Sequence, residues 1–310
     1  MQTLEGIRRS IETATELGSV VRTMKGIAAA NIRQFEGAVE SLGEYGRAVE
    51  LGFQTLLETR PQRLVATAEA DATRLGAVVF GSDQGMCGRF NQLAADHAAS
   101  EIGRLGFGAD RRTVLVVGSR IGPLLEMSGI ETAGELAPAT SLAGVSSLVA
   151  DVLVRVEEWR SHGAADRVLL IYNEALGGAS YRPRTEQLFP VDLEWLRSLE
   201  GREWPSRRLP MYTVEWETLF ASLIREHFYI AIFRAAAESM ASENASRLAS
   251  MQAAERNIDE RLEELGMRYR LRRQSSITEE ILDIISGFEA LGPADLSGVA
   301  AAKTEGGRRG

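Results

Sequence analysis

The chain has 310 residues, 45% hydrophobic and 25% charged, with 35 basic and 43 acidic side chains and a formal net charge of −8. That composition excludes an intrinsically disordered chain, and the acidic balance argues against a dedicated nucleic-acid binder. A single cysteine, Cys87, excludes an internal disulfide and a cysteine-based zinc cage. No apolar run reaches the roughly 18 residues that a membrane-spanning helix needs, and Met1 to Glu5 carries no basic-then-apolar leader. A soluble cytoplasmic protein is expected, free to sit on a membrane complex through a partner.

Proline divides the chain. Residues 1–60 have none, residues 61–210 hold seven of the eight, and residues 211–292 have none again. Because proline costs a helix interior about 3 kcal/mol, this spacing predicts two long helical arms flanking one mixed domain. The expected parts are an N-terminal coiled-coil helix over 1–60, an α/β domain over 61–212, a C-terminal coiled-coil helix over 213–291 and a disordered tail over 292–310.

In the first arm Ile7, Ala14, Val21, Ala28, Phe35, Leu42, Val49 and Leu56 recur every seven residues. A second line holds Leu4, Ile11, Gly18, Lys25, Ile32, Val39, Gly46 and Phe53. The two alternate at spacings of three and four, the pattern of a coiled-coil seam. Seven glycines weaken this arm as an isolated helix, at about 1 kcal/mol each relative to alanine, so it needs a packed partner. Gly18 and Gly46 fall on the seam, where they allow close approach.

The period then changes. Ala77–Phe80, Thr113–Val117 and Arg167–Tyr172 read as short buried strands, with helices over 91–105 and 144–161 between them. This alternation predicts parallel strands joined by helical crossovers. Residues 174–210, with Gly177-Gly178 and four prolines, read as irregular. The second arm starts near Val214. Leu223, Ile230, Ala237, Asn244, Met251, Ile258 and Leu265 repeat at seven, with Asn244 a polar interruption that can fix register.

Few residues suggest chemistry. The loop Gly81-Ser82-Asp83-Gln84-Gly85-Met86-Cys87-Gly88-Arg89-Phe90-Asn91 sits between a strand and a helix, where α/β sheets bind phosphate. It lacks both the P-loop ending and the dinucleotide glycine spacing, so a tight packing turn is the competing reading. Cys87 has no histidine in motif with it; His97, His162 and His227 are scattered and define no metal set. Arg268, Arg270, Arg272 and Arg273 crowd one stretch, facing either acidic partners or neighbouring glutamates.

Four stretches carry a resemblance. They are Met24-Lys25-Gly26-Ile27-Ala28-Ala29-Ala30-Asn31-Ile32-Arg33, the loop Ser82–Asn91, Ala241-Ser242-Glu243-Asn244-Ala245-Ser246-Arg247-Leu248-Ala249-Ser250-Met251, and Arg273-Gln274-Ser275-Ser276-Ile277-Thr278-Glu279-Glu280 with Ser286-Gly287. In this order, over residues 4–291, the chain resembles the gamma subunit of rotary F-type ATP synthases. It departs from that pattern at Gly26 and Asn31, where an apolar and a basic residue are usual, and it lacks the dithiol insertion of the chloroplast type. These departures point to a bacterial or alternate-type complex.

The resemblance implies an α/β fold with long helices: an antiparallel coiled coil of the N- and C-terminal helices plus a Rossmann-like α/β domain. It implies a central-stalk rotor that carries torque between a c-subunit ring and a catalytic ring of alpha and beta subunits, with epsilon beside it. It implies no cofactor, metal or catalytic residue in this chain, no direct membrane insertion, and a peripheral place on the cytoplasmic face of a bacterial membrane. Met24, Ala28, Ala29 and Arg33 on one arm, and Arg273, Gln274, Ser276, Thr278 and Glu280 on the other, are the implied beta-subunit contacts. Ser82, Asp83, Gly85, Cys87 and Gly88 form a structural loop. The residues alone leave two other readings: a nucleotide- or phosphate-binding enzyme with oligomerising arms, and a coiled-coil scaffold with a globular insert.

Overall fold

The computed structural model describes residues 3–59, 72–177, 180–205 and 210–290. The expected tail at 292–310 and the expected boundary at 60–61 lie outside the described residues. By contacts the chain divides into two compact units, Met1–Arg22 with Ala254–Gly310, and Thr23–Ala253.

The two longest helices are α1, Leu4–Thr59, of 56 residues and α6, Trp216–Ala290, of 75 residues. Both are continuous, and α6 runs through Gly266 without a break. In the smaller unit their two segments lie antiparallel. Ile7 and Leu265 are buried, and a Cβ placed on Gly18 would stand 3.4 Å from Ile258. Arg268 pairs with Glu264 and Arg272 lies 3.8 Å from Glu279, while Arg270 and Arg273 stay exposed. Two arginines of the cluster therefore pair with neighbouring glutamates, one of the two readings its sequence left open.

The larger unit pairs the same helices and adds a sheet. Along α1 the seam residues Ala28, Ile32, Phe35, Leu42, Val49, Phe53 and Leu56 are buried, as the heptad predicts. The pairing is antiparallel. Asn31 Nδ2 donates to Asn244 Oδ1 at 3.3 Å, Tyr45 Oη to Glu226 Oε2 at 2.7 Å, and Trp216 Nε1 to the Leu56 carbonyl at 3.2 Å. The polar interruption at Asn244 therefore meets Asn31, a half-buried residue beside the seam and one of the two that depart from the resembled pattern. Asn244 also donates to the Met240 carbonyl at 2.8 Å, and a cross-helix amide bond of this kind favours one register. The tightest glycine contact of α1 in this unit is not at the seam glycine Gly46. A Cβ on Gly52 would meet Leu223 Cδ2 at 2.8 Å, whereas Gly46 has only Ile230 at 3.9 Å.

The sheet has five strands: β1 Leu75–Phe80, β2 Arg112–Val117, β3 Gly134–Leu136, β4 Arg167–Ala175 and β5 Tyr181–Phe189, in the order β3-β2-β1-β4-β5. All neighbours are parallel except β4 and β5. Helices α2 Phe90–Leu105 and α3 Gly122–Met127 cover one face, with Ala77, Val79, Val114, Val116, Leu169 and Ile171 pointing into that layer. On the other face, α4 Leu142–Ser161 and α6 pack on Val78, Phe80, Leu115, Val117, Leu170 and Tyr172. Alternate residues of one strand thus serve two cores, as a doubly covered sheet requires.

Two elements correct the expectation of an irregular stretch after Glu174. One is the antiparallel edge strand β5, whose Pro183 is tolerated because an edge position loses no ladder bond. The other is α5, Leu193–Glu200, capped by Asp192, whose carboxylate accepts the backbone N–H groups of Glu194 and Trp195 at 2.8 and 3.3 Å. Helix α5 packs Leu196 and Leu199 against Leu42, Val49, Phe53 and Ile230 of the helical pair.

Candidate functional site

In a parallel sheet, ligands bind outside the carboxyl ends of the strands, where the winding direction reverses. Here β1 leads through α2 to β2 on one side, while β4 joins β1 from the other. The crevice at the ends of β1 and β4 is the switch point, and the loop Gly81–Arg89 lies in it.

That loop is closed on itself. Asn91 accepts the Ser82 N–H on Oδ1 at 2.9 Å and donates through Nδ2 to Ser82 Oγ at 2.8 Å. Ser82 Oγ donates to the Gln84 carbonyl at 3.0 Å, and Asp83 Oδ1 accepts the Ser119 N–H at 2.7 Å. Gly81 is obligatory: a Cβ there would sit 2.6 Å from Ile121 Cβ. Met86 and Gly88 turn the chain with φ of 60° and 55°. Gly85 has open space, with only Arg120 at 4.0 Å.

Helix α6 fills the crevice. Ser242 and Ser246, one turn apart, lie on one face. Ser242 Oγ donates to the Asn173 carbonyl at 2.9 Å, near the end of β4. Ser246 Oγ donates to the Cys87 carbonyl at 2.5 Å and accepts from Tyr181 Oη at 3.1 Å. A Cβ on Gly88 would meet Ser246 Oγ at 3.1 Å and Ser250 Oγ at 3.3 Å. Asn173 Nδ2 in turn donates to the Phe90 carbonyl at 3.1 Å, tying β4 to the start of α2. Beside these serines, Glu243 and Arg247 form a buried ion pair at 2.6 Å. Burial pushes the Glu243 carboxyl up, against the opposing pull of Arg247.

The side chains of Ser82, Asp83 and Asn91 and the Ser82 N–H are therefore engaged within the fold. Cys87 is 3% exposed, its Sγ lying 3.6 Å from Ser82 Oγ, Asn91 Nδ2 and the Gln84 carbonyl. The histidines lie elsewhere: His97 bonds Thr185 Oγ1 at 2.9 Å, His162 the Glu158 carbonyl at 2.7 Å, and His227 stacks on Trp195 at 4.5 Å. Among the described residues no cluster of three or more His, Cys, Asp or Glu could hold a metal ion.

Of the expected contact residues, Arg33, Arg273, Gln274, Thr278 and Glu280 are exposed, while Met24, Ala29 and Ser276 are half-buried. Ala28 is fully buried and packs within the helical pair. Thr278 Oγ1 donates back to the Gln274 carbonyl at 2.9 Å. The first group belongs to the larger unit and the group from Arg273 to the smaller one. Sequence reasoning missed Asn173, Tyr181 and the serine face, although the spacing of Ser242, Ser246 and Ser250 at four residues marks one side of a helix.

The architecture is thus that of a long-armed α/β protein, a helical pair with a sheet domain inserted between its arms and one arm lying against the crevice at the ends of β1 and β4. The family described as ATP synthase matches residues 3–291. The chain is 30% identical over 303 residues to the ATP synthase gamma chain of Granulibacter bethesdensis, covering 94% of this chain and 100% of that one. It is 26% identical over 307 residues to that of Chlorobaculum parvum, covering 94% and 99%. Among solved structures it is similar to a chain of the Euglena gracilis mitochondrial ATP synthase described as OSCP/F1/c-ring, with a TM-score of 0.59, 18% identity, and 99% and 98% of the two chains covered. A chain of the Tetrahymena thermophila mitochondrial ATP synthase, described as central stalk and c-ring, aligns with a TM-score of 0.54 at 19% identity over 76% of this chain and 99% of that one. The chain belongs to the ATP synthase gamma-chain family.

Proposed function

We propose that this chain is a non-catalytic rotor subunit that carries torque between a c-subunit ring and an alpha–beta catalytic ring, with epsilon beside the α/β domain. Nucleotide chemistry then belongs to the partners, and this chain supplies asymmetry and mechanical linkage. The observation that carries the reading is the far end of α6. Ile277, Ile281, Ile284 and Phe288 recur at helical spacing on one face, and they are 47% to 75% exposed. Leu282 and Ile285 widen the stripe. Each such side chain leaves about 1 kcal/mol of burial unrealised in the isolated chain, which suits an apolar sleeve provided by other subunits. Arg273, Gln274, Ser276, Thr278 and Glu280 flank the stripe as polar contacts, and Met24, Ala29 and Arg33 serve on α1, with Ala28 supporting them from inside the pair.

Among the described residues no helix is long and apolar enough to cross a membrane. On the rotor reading, partners hold the chain at the cytoplasmic face of a bacterial membrane. The test is reconstitution with alpha and beta subunits. Ile281→Asp and Phe288→Asp leave the melting temperature of the isolated chain unchanged and reduce coupled ATP synthesis at least tenfold. Thr278→Ala and Arg273→Ala weaken coupling more than assembly. Wild-type coupling in the aspartate variants, or equal loss of assembly and coupling in the alanine variants, would refute the proposal.

A further inference from the structure

We propose that Glu238 is a proton-operated joint between α6 and the β4–β5 corner of the sheet, seated when its carboxyl is neutral and loosened when it is ionised. Glu238 lies on the face of α6 that packs on the sheet, among Ala235, Ala236, Ala237 and Ala241. It is 9% exposed, and its Oε2 has no hydrogen-bond partner. A buried carboxylate oxygen left unpaired is strongly unfavourable in the ionised state.

The surrounding charges do not relieve it. From β4, Glu174 and Tyr172 face it, and from β5 Arg184 and Glu186. Arg182 and Arg184 are both committed to Glu174, the first at 2.7 Å. Arg184 also leans toward Glu186 at 3.9 Å, and Tyr172 Oη donates to Glu186 Oε2 at 3.0 Å. Three carboxylates thus share a corner with two arginines that are already paired. Arg234, one turn earlier on α6, is the remaining cation that faces Glu238. Burial, reinforced by Glu174 and Glu186, raises the Glu238 pKa to about 7. Protonation needs only a solvent proton, and a neutral carboxyl gains a donor that the crowded acceptors around it can receive.

The sign follows from linkage. A folded-state pKa above the unfolded one gives stability that is complete below the unfolded value and is lost as pH rises through the folded value. The joint therefore opens progressively between ordinary glutamate pH and neutrality.

Hydrogen exchange in the full chain tests this, read at the amides of α6 around Glu238 and of β5 and corrected for intrinsic rates. In the wild type, protection falls by up to about tenfold per pH unit from about pH 5 to about pH 7 and then levels. In Glu238→Gln, a neutral isostere, that component is lost and low-pH protection persists. Infrared difference spectra of glutamate-labelled chain give a second reading: a protonated carboxyl band titrates near neutrality, and Arg234→Gln moves its midpoint upward. Parallel exchange profiles in wild type and Glu238→Gln would overturn the proposal, and so would a midpoint indifferent to Arg234→Gln.

Discussion

At the scale of single residues, two glycines of one loop have opposite weight. Gly88 holds φ at 55° with Ser246 and Ser250 against the place where a Cβ would stand. Gly85 has nothing nearer than an arginine nitrogen at 4.0 Å and is not in the left-handed region. Gly88→Ala therefore destabilises the larger unit by about 1–2 kcal/mol from backbone conformation alone, and crowding against α6 adds to that. Gly85→Ala stays within about 0.5 kcal/mol of wild type. Urea unfolding of the two variants side by side measures the difference, and similar midpoints would disprove this account of the loop. Sequence marked both glycines only as parts of a structural loop. What separates them is a contact with residues some 160 positions away, which no local pattern encodes.

At the scale of elements, α1 is less stable than its burial requires. Gly37 and Gly43 have nothing within 4 Å of a built Cβ, so no packing contact asks for them. Gly37→Ala and Gly43→Ala should each stabilise the helix by about 1 kcal/mol through propensity. Gly52→Ala should gain less, since Leu223 must move aside. Thermal melts of the three variants check the order, and a loss of stability at Gly37 or Gly43 would contradict it. The long helices were legible because a heptad sustained over a proline-free arm fits a packed helix and hardly any other structure. The buried strands were legible as short apolar runs. Helix α5 and strand β5 were not. Glycines and prolines dominate their neighbourhood, β5 is an edge strand rich in charge, and α5 is only eight residues long. Yet Asp192 followed by Leu193, Leu196 and Leu199 did carry a cap and a spacing of three. The serine face of α6 was readable as a face, but its target was not.

At the scale of the molecule, burial is concentrated in one stretch and exposure in another. The larger unit holds the sheet and its two buried layers. From Arg273 to Glu289 every residue except the half-buried Ser276 is exposed. A chain truncated after Leu271 should therefore keep the melting transition of the larger unit to within about 2 °C, since almost no buried area is removed, while reconstituted coupling is abolished. Calorimetry paired with coupled synthesis decides this, and a large fall in melting temperature would show that the end of α6 stabilises the fold. The placement of Ser242 and Ser246 has a mechanical corollary. A helix held to a sheet at one point could roll beneath it. Here two hydroxyls a turn apart reach carbonyls on different segments, Asn173 within β4 and Cys87 in the loop after β1. They act as a spline in a slotted collar. A twisting load applied to the sheet meets both bonds at once, in shear, and the helix must turn with the domain that grips it.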